Sequence, residues 1–358
     1  MLLNTLLALG ALLQTASAIV VEESSLRVNS AYDPLDVDTA TPRLSWRLKS
    51  DKRGDAQTAV QIQASSSGDF QSADLWDSGK LESADPFITY DGAELASRAS
   101  VHWRVKVWDV DDSGSEWSET AHFEISLLDE EDWDASWIAN KDFKTGSTSL
   151  PVFAKEFSVD CEAVTKARLY LLGLGLHIPE INGQSITDEV LQPGYSTVND
   201  TLPYSTYDIT EYLQSGDNVV GVALGKGIYN AEQPLLGRYR KFAQAYQELR
   251  LIAQLEYECE GGESGQVISD DSWVSSLEGP YWETSWFGGE EYDARKELKN
   301  WSSVDGDRSE WSTVSLTTGP SGKLVSPRSP PLKVVDTIKP ISVTQVGQAL
   351  AFIRSETG

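Results

Sequence analysis

Val101-His102-Trp103-Arg104-Val105-Lys106-Val107-Trp108 places an apolar residue at every odd position and, until Trp108, a polar one at every even position. Successive side chains of a strand point to opposite faces, so this period of two describes a strand with one face in a core and the other in water. The same period recurs in Ala59-Val60-Gln61-Ile62-Gln63-Ala64 and in Arg43-Leu44-Ser45-Trp46-Arg47-Leu48. Ser-Gly, Asp-Gly and Asp-Pro pairs punctuate these runs at intervals of about ten residues, the spacing of antiparallel strands joined by tight turns. Residues 22–128 are therefore expected to form a fibronectin type III-like β-sandwich. By parity Trp103 and Trp108 leave their strand on opposite sides, and Trp46, Trp103 and Trp108 are expected to pack in the core or on the sheet surface.

Working outward, the acidic stretch Asp129-Glu130-Glu131-Asp132-Trp133-Asp134, then Trp137-Ile138-Ala139 and a polar loop over 140–149, breaks the rhythm and marks a boundary. Strand patterns resume at Val152–Phe157, Ala167–Leu174, Asn218–Leu224 and Leu249–Glu258, separated by longer loops. That pattern predicts a larger jelly-roll sandwich over 137–300. One helical turn is expected at Thr210-Glu211-Tyr212-Leu213. Beyond Asn300 the chain turns rich in Pro, Ser and Gly, with Pro327 and the pair Pro330-Pro331. Residues 301–358 accordingly read as a linker and the incomplete start of a third β segment. The fold class is all-β.

Twenty-nine basic residues against 55 acidic ones leave a formal net charge of −26, which repels nucleic acid and anionic membranes and excludes both as partners. Leu2–Leu13 is apolar and ends in Ala16-Ser17-Ala18, the pattern of a signal peptide over residues 1–18. The expected localisation is secreted and extracellular; the run is too short to span a bilayer. Cys161 and Cys259 can form one bridge across a sandwich in an oxidising compartment, or stay as two buried thiols. Asn199-Asp200-Thr201 and Asn300-Trp301-Ser302 are glycosylation sequons.

Of the three histidines, His102, His122 and His177, none has neighbours in sequence that suit a metal or a catalytic triad. Zinc motif, nucleophile elbow, phosphate loop and dinucleotide fingerprint are all missing, so no cofactor and no metal site is assigned. Calcium is the one ion that acidic runs such as Asp109–Asp112 or Asp305-Gly306-Asp307 have the oxygens for, and solvated turns are the simpler reading of both.

Trp286-Phe287-Gly288-Gly289-Glu290-Glu291-Tyr292-Asp293-Ala294-Arg295 sets rings, permissive glycines, carboxylates and a guanidinium within ten residues. Flat rings suit the C–H faces of sugars, and charged groups suit their hydroxyls. The run resembles the Gly-Glu-x-Tyr-Asp-Ala-Arg block in the amino-terminal region of α-L-rhamnosidases of glycoside hydrolase family 78. Further blocks similar to that family follow its order: Ala167-Arg168-Leu169-Tyr170 with Gly173-Leu174-Gly175, Ile181-Asn182-Gly183, Leu191-Gln192-Pro193-Gly194-Tyr195, Tyr204–Thr210, Gly216-Asp217-Asn218, Leu224-Gly225-Lys226-Gly227, Ser269–Trp273 and Pro330–Val334. The resemblance spans residues 25 to 345, and Gln345-Val346-Gly347-Gln348-Ala349 keeps only the Gly-Gln of the family's next block.

The resemblance implies the amino-terminal β domains of a secreted, inverting α-L-rhamnosidase acting on rhamnose-containing glycosides or plant polysaccharide. It also implies that the acid and base sit in a helical (α/α)6 barrel that follows these domains, and the sequence up to Gly358 shows no helical repeat to build one. The expected role is carbohydrate binding or scaffolding without catalysis; the alternative is a free-standing lectin-like carbohydrate-binding protein. Candidate carbohydrate-binding residues are Trp286, Glu290, Glu291, Tyr292, Asp293, Arg295 and Tyr229, and no catalytic residue is assigned. In strand geometry Glu291 and Asp293 share one face and Glu290 and Tyr292 the other, which suits a sheet edge better than an acid–base pair. Arg295 is expected to pair with Asp293 or with a neighbouring carboxylate and so fix a strand end, in preference to direct sugar recognition.

Overall fold

A computed structural model of the chain describes residues 19–144, 147, 149–230, 247–285, 289–345 and 351–355. It divides into two compact units between Leu128 and Asp129. The leader call over residues 1–18 lies outside the described residues.

In the first unit the strand Ser100–Trp108 alternates buried and half-buried side chains along its whole length. It pairs antiparallel with Ala59–Ser65 on one side and Ala121–Glu124 on the other, and Trp76–Asp77 and Leu81–Glu82 complete a five-stranded sheet. Arg27–Val28, Arg43–Ser45 and Phe87–Thr89 form the second sheet. Buried side chains of both, among them Val28, Leu44, Ile62, Trp103, Val105 and Phe123, join in one core cluster. Burying such rings and branched chains contributes about 1.5–3 kcal/mol each, so this shared core is what holds the two sheets face to face. Trp103 is fully buried, whereas Trp108 faces outward with Lys80 and Lys106 over its ring at 5.0 and 5.5 Å.

The run Arg43–Leu48, expected as one strand, is two. Arg43–Ser45 pairs with Arg27–Val28, and Leu48–Lys49 pairs with Val20–Val21, so the chain changes partner at Trp46-Arg47. There Trp46 turns into the core and donates its indole N–H to Gln57 Oε1 at 2.9 Å.

The second unit has two six-stranded sheets. One runs Ser205–Asp208, Val164–Gly173, Arg250–Cys259, Ile138–Ala139, Ser315–Leu316, with Ser264–Ile268 also beside Arg250–Cys259. The other runs Gln184–Ser185, Leu176–Ile181, Gly216–Gly225, Val152–Val159, Val274–Ser276, Ser312–Thr313. All these pairings are antiparallel, as the jelly-roll expectation requires. Among the described residues no helix exceeds three residues.

From Ala167 onward every residue of Val164–Gly173 is buried, although a strand in a two-layer sandwich normally has a wet face. The cover is the acidic stretch after the boundary. Trp133 packs edge-on against Tyr204 at 5.1 Å and Tyr170 at 6.3 Å, and Gln254 binds the backbone of Asp132 and Asp134 at 2.8 Å each.

Residues 301–333 are not a linker. Ser312–Thr313 and Ser315–Leu316 extend one sheet each, Lys323–Val325 pairs in parallel with Thr201–Pro203, and Leu332–Lys333 pairs with Glu189–Val190. Arg308 clamps the approach, donating to Glu156 Oε1 at 2.6 Å and to the carbonyls of Trp301 and Ser303 at 2.9 Å each. Strands of two or three residues carry no readable period, which is why composition alone suggested a linker.

Cys161 and Cys259 form a disulfide with their Cα atoms 6.2 Å apart. It sits at one end of the sandwich: Cys161 lies in the turn between Val152–Val159 of one sheet and Val164–Gly173 of the other, and Cys259 is in register with Val164. The bridge closes a sequence separation of 98 residues. In the chain-entropy view a loop of this size contributes about 4 kcal/mol. Replacing both cysteines by Ser should lower the unfolding free energy of the second unit by about 2–4 kcal/mol, read as a fall in guanidinium midpoint with a larger m-value, because the denatured chain without its cross-link is more expanded.

Candidate functional site

The strand Val164–Gly173 ends in one sheet and Leu176–Ile181 begins in the other, so the chain crosses layers at Leu174-Gly175. That crossing packs against the end of Gly216–Gly225 with backbone against backbone. Gly175 has φ +107°, and a Cβ there would lie 2.1 Å from the Gly225 carbonyl oxygen. Gly227 has φ +54°, and its Cβ would meet Gly175 at 3.0 Å. Only glycine fits such an approach at positive φ, which accounts physically for both glycine-rich blocks.

The contact frames a cavity of about 160 Å³. Leu172, Leu174 and Leu176 make one wall, Ile228 and Tyr229 a second, and the segment from Pro193 through Asn199 with Leu202 and Pro203 a third. Tyr229 is buried and its phenol is pushed up by that burial; Tyr195, on the rim, is 70% exposed. The floor is aliphatic, while the rim carries the Tyr195, Ser196 and Thr197 hydroxyls and the Asn199 amide. Such a lining accepts a small ring with an apolar face and hydroxyls at its edge. Among the described residues that line it there is no Asp, Glu or His, the side chains that serve as acid and base in glycoside hydrolysis.

Just behind the Leu176 wall lies His177, fully buried. Its Nδ1 accepts the Gly173 N–H at 3.1 Å, which leaves the proton on Nε2, 3.2 Å from the Tyr207 hydroxyl. His177 N–H donates to the Gln192 carbonyl at 2.8 Å and so anchors the segment leading to Pro193. Burial pulls the imidazole down to about 4. Sequence reasoning assigned His177 no role, because its partner Tyr207 lies 30 residues away and nothing local signals the pair.

The ten-residue block that carries the family resemblance is elsewhere. Tyr281–Ser285 and Gly289–Tyr292 form a two-stranded hairpin, and Trp286 lies outside the described residues. The Lys226 N–H donates to Thr284 Oγ1 at 2.9 Å, so the hairpin leans on the Gly225–Gly227 turn without lining the cavity. Glu290 and Glu291 are exposed. Tyr292 packs on Tyr281 at 5.1 Å and donates to Glu297 Oε1 at 2.7 Å, which holds its phenol up to about 12. Asp293 accepts from Arg295 at 2.6 and 2.8 Å, and this fork holds its carboxyl down to about 2. With the Arg295 side chain 89% exposed, the pair orders the turn after the hairpin and stabilises the fold little. Of the six candidate residues that are described, Tyr229 alone lines the cavity.

Among the described residues no group of three or more His, Cys, Asp or Glu is placed to hold a metal. The acidic runs serve their own turns: Asp109 Oδ1 accepts from the N–H groups of Asp111 and Ser113 at 2.9 Å, and Asp307 Oδ1 accepts from the N–H and hydroxyl of Ser309 at 3.0 and 2.7 Å. Among the described residues no helix is long and apolar enough to cross a membrane.

Comparison with known proteins covers both units. The family described as "Alpha-L-rhamnosidase N-terminal domain" matches residues 162–336, and that described as "Rha78A-like, N-terminal immunoglobulin domain" matches residues 23–129. The second match names the first sandwich immunoglobulin-like. An α-L-rhamnosidase of Alteromonas sp. (strain LOR) is 35% identical over 339 residues, 91% of this chain and 36% of that protein. The structure of the α-L-rhamnosidase from Dictyoglumus thermophilum superposes with TM-score 0.81 at 34% identity, over 93% of this chain and 39% of that one. The Aspergillus terreus enzyme gives TM-score 0.81 at 28% identity, over 94% and 38%. The chain thus spans little more than a third of the length of these relatives.

The His177 environment sets a pH dependence. Its folded pKa lies below the unfolded value, so the unfolded chain binds the extra proton first and stability falls as pH drops from about 6.5 to about 4. Loss of stability between pH 7 and pH 4 should be about 3 kcal/mol smaller in His177→Gln than in the parent chain, read from denaturant unfolding at each pH.

Proposed function

Both units belong to the amino-terminal β domains of the α-L-rhamnosidase family, and from that premise we propose that the chain is the carbohydrate-engaging amino-terminal part of a secreted α-L-rhamnosidase. On this reading the second sandwich holds a terminal sugar of a rhamnose-containing glycoside or plant polysaccharide in the Tyr195–Tyr229 cavity. The hydrolytic step of the whole protein belongs to residues other than those lining that cavity.

One observation carries the reading: an aliphatic, tyrosine-edged cavity sits inside the unit that matches the rhamnosidase amino-terminal domain. At about 160 Å³ it is smaller than the 300–1,000 Å³ of drug-sized ligand pockets and suits one sugar ring, not a chain of them. L-Rhamnose bears a methyl group in place of a hydroxymethyl, and Leu172, Leu174, Leu176 and Ile228 offer that methyl an apolar seat. Secretion is supported by the disulfide, which suits an oxidising compartment, together with the apolar leader.

A scaffolding role is favoured by a different observation. Val335, Ile338, Ile341 and Val343 are all more than half exposed near the end of the described chain, the last two on the hairpin Pro340–Gln345 with Ala351–Ser355. A lone two-stranded hairpin with apolar side chains in water is marginal by itself and gains from further β structure packed on it.

Titration calorimetry of the chain with L-rhamnose should show saturable binding. Tyr229→Ala should weaken it at least tenfold, while Glu290→Gln should leave it unchanged. Equal affinity in the Tyr229 variant, or no heat at millimolar sugar, rejects the cavity as the binding site.

A further inference from the structure

Asn199 belongs to two descriptions at once: it is the acceptor residue of the Asn199-Asp200-Thr201 sequon and part of the cavity lining. Its turn precedes the strand Thr201–Pro203 and is fixed by backbone hydrogen bonds together with the hydroxyls of Ser196 and Ser321, which donate to main-chain carbonyls. The N–H groups of Asp200 and Thr201 donate to the Thr197 carbonyl at 2.8 and 3.0 Å, and Ser321 Oγ donates to the Asn199 carbonyl at 3.2 Å. Lys323 N–H donates to the Asp200 carbonyl at 3.1 Å, and Gly322 lies so close that a Cβ there would be 2.4 Å from the Val198 carbonyl oxygen. The contact of Asn199 with Ser321 uses its main chain, so the exposed side-chain amide is left for chemistry.

The second sequon differs in each respect. Asn300 sits at φ +55°, its amide donates to Asp305 Oδ2 at 3.0 Å, and the hydroxyl of Ser302 is buried against Glu180. It lines no part of the cavity.

We propose that Asn199 is N-glycosylated and that the first sugar of its glycan lies over the cavity, where it competes with a free monosaccharide. In the transfer, the Asn199 Nδ2 attacks C1 of a polyisoprenyl-diphosphate-linked sugar of the secretory compartment. A C1–N bond forms, the C1–O bond to diphosphate breaks, the diphosphate leaves with the electron pair, and the amide gives up one proton. The ring attached to Nδ2 is then held within reach of the Tyr195 phenol and the Leu176 and Ile228 side chains at negligible translational cost, since the tether supplies a high effective concentration. An N-acetylhexosamine presents an apolar pyranose face and an acetamido methyl, which the aliphatic walls accept. The competition with free sugar rests on the binding reading above; the covering of the cavity does not.

The test uses the full chain secreted from a eukaryotic host behind a heterologous leader, beside Thr201→Ala, which keeps Asn199 but removes the sequon, and Asn300→Gln as control. Peptide mass spectrometry should find Asn199 glycosylated. Hydrogen exchange at Leu174–Leu176 and Ile228–Tyr229 should be at least fivefold faster in Thr201→Ala than in the glycosylated chain. Calorimetry should show L-rhamnose bound at least tenfold more tightly by Thr201→Ala than by the glycosylated parent, with Asn300→Gln behaving as the parent. An unmodified Asn199, or a modified one with unchanged exchange at the cavity, overturns the proposal. If no form binds L-rhamnose, the binding reading fails while the exchange measurement still decides whether the glycan covers the cavity. Asn199→Gln should reproduce Thr201→Ala in every readout, and a difference between the two would show that the effect belongs to one substitution and not to the glycan.

Discussion

The second unit depends on the close approach of two main chains at Gly175, Gly225 and Gly227. With a Cβ 2.1 Å from the Gly225 carbonyl oxygen, any side chain at Gly175 would push the layer-crossing segment off its neighbour. Gly175 belongs to the segment that crosses between the sheets, and the adjoining Leu176 pairs with Gly225, so this contact fixes where the crossing segment enters its second sheet, beside the cavity lined by Leu172, Leu174, Leu176, Ile228 and Tyr229. His177 sits beside it, accepting from Gly173 and donating toward Tyr207, and ties the crossing to the adjacent strand. A neutral, doubly bonded imidazole in a dry site is rigid, and rigidity in the wall is what lets a shallow cavity select by shape.

The electrostatics are those of a protein whose charge lies mostly at its surface. Fifty-five acidic residues cluster in no described metal-like group; they cap turns, as Asp109, Asp293 and Asp307 do, or pair with neighbouring cations. Where a cation is buried it is bonded several times over, as Arg308 is by Glu156 and two carbonyls, since an unsatisfied buried charge would cost several kcal/mol. On the outer face of the first unit Arg104 lies between Phe70 and Trp117 at 4.3 and 4.6 Å while donating to Gln63. That stacking explains how a strand with charged outward residues keeps them ordered.

Much of the architecture was legible in advance. Alternation over Val101–Trp108 and Ala59–Ala64 yields strands in the described positions, and the single turn at Thr210 is present as a three-residue helix. The reading failed where structure is too short to have a period. Ser312–Thr313 pairs with Val274–Ser276, Ser315–Leu316 with Ile138–Ala139 and Lys323–Val325 with Thr201–Pro203, all distant in sequence, and their Ser and Gly surroundings read locally as linker. It failed also at the Asp129–Asp134 stretch, whose charges suggest a solvated boundary although Trp133 covers the face of a sheet. For the site, the family-like block pointed to Glu290–Arg295, on and beside a surface hairpin, whereas among the described candidates only Tyr229 lines the cavity.

The sequence by itself determined that this is an all-β chain, that its carboxylates far outnumber its cations, and which family its ordered motifs resemble. These follow from quantities read along the chain: period, composition and the spacing of glycines. Tertiary structure alone decided that Cys161 and Cys259 meet and bond, that His177 meets Tyr207, and that Asn199 shares a cavity with Tyr229. Each of these is a meeting of residues 30 to 98 positions apart, and such meetings are set by how layers pack, which local periodicity does not encode.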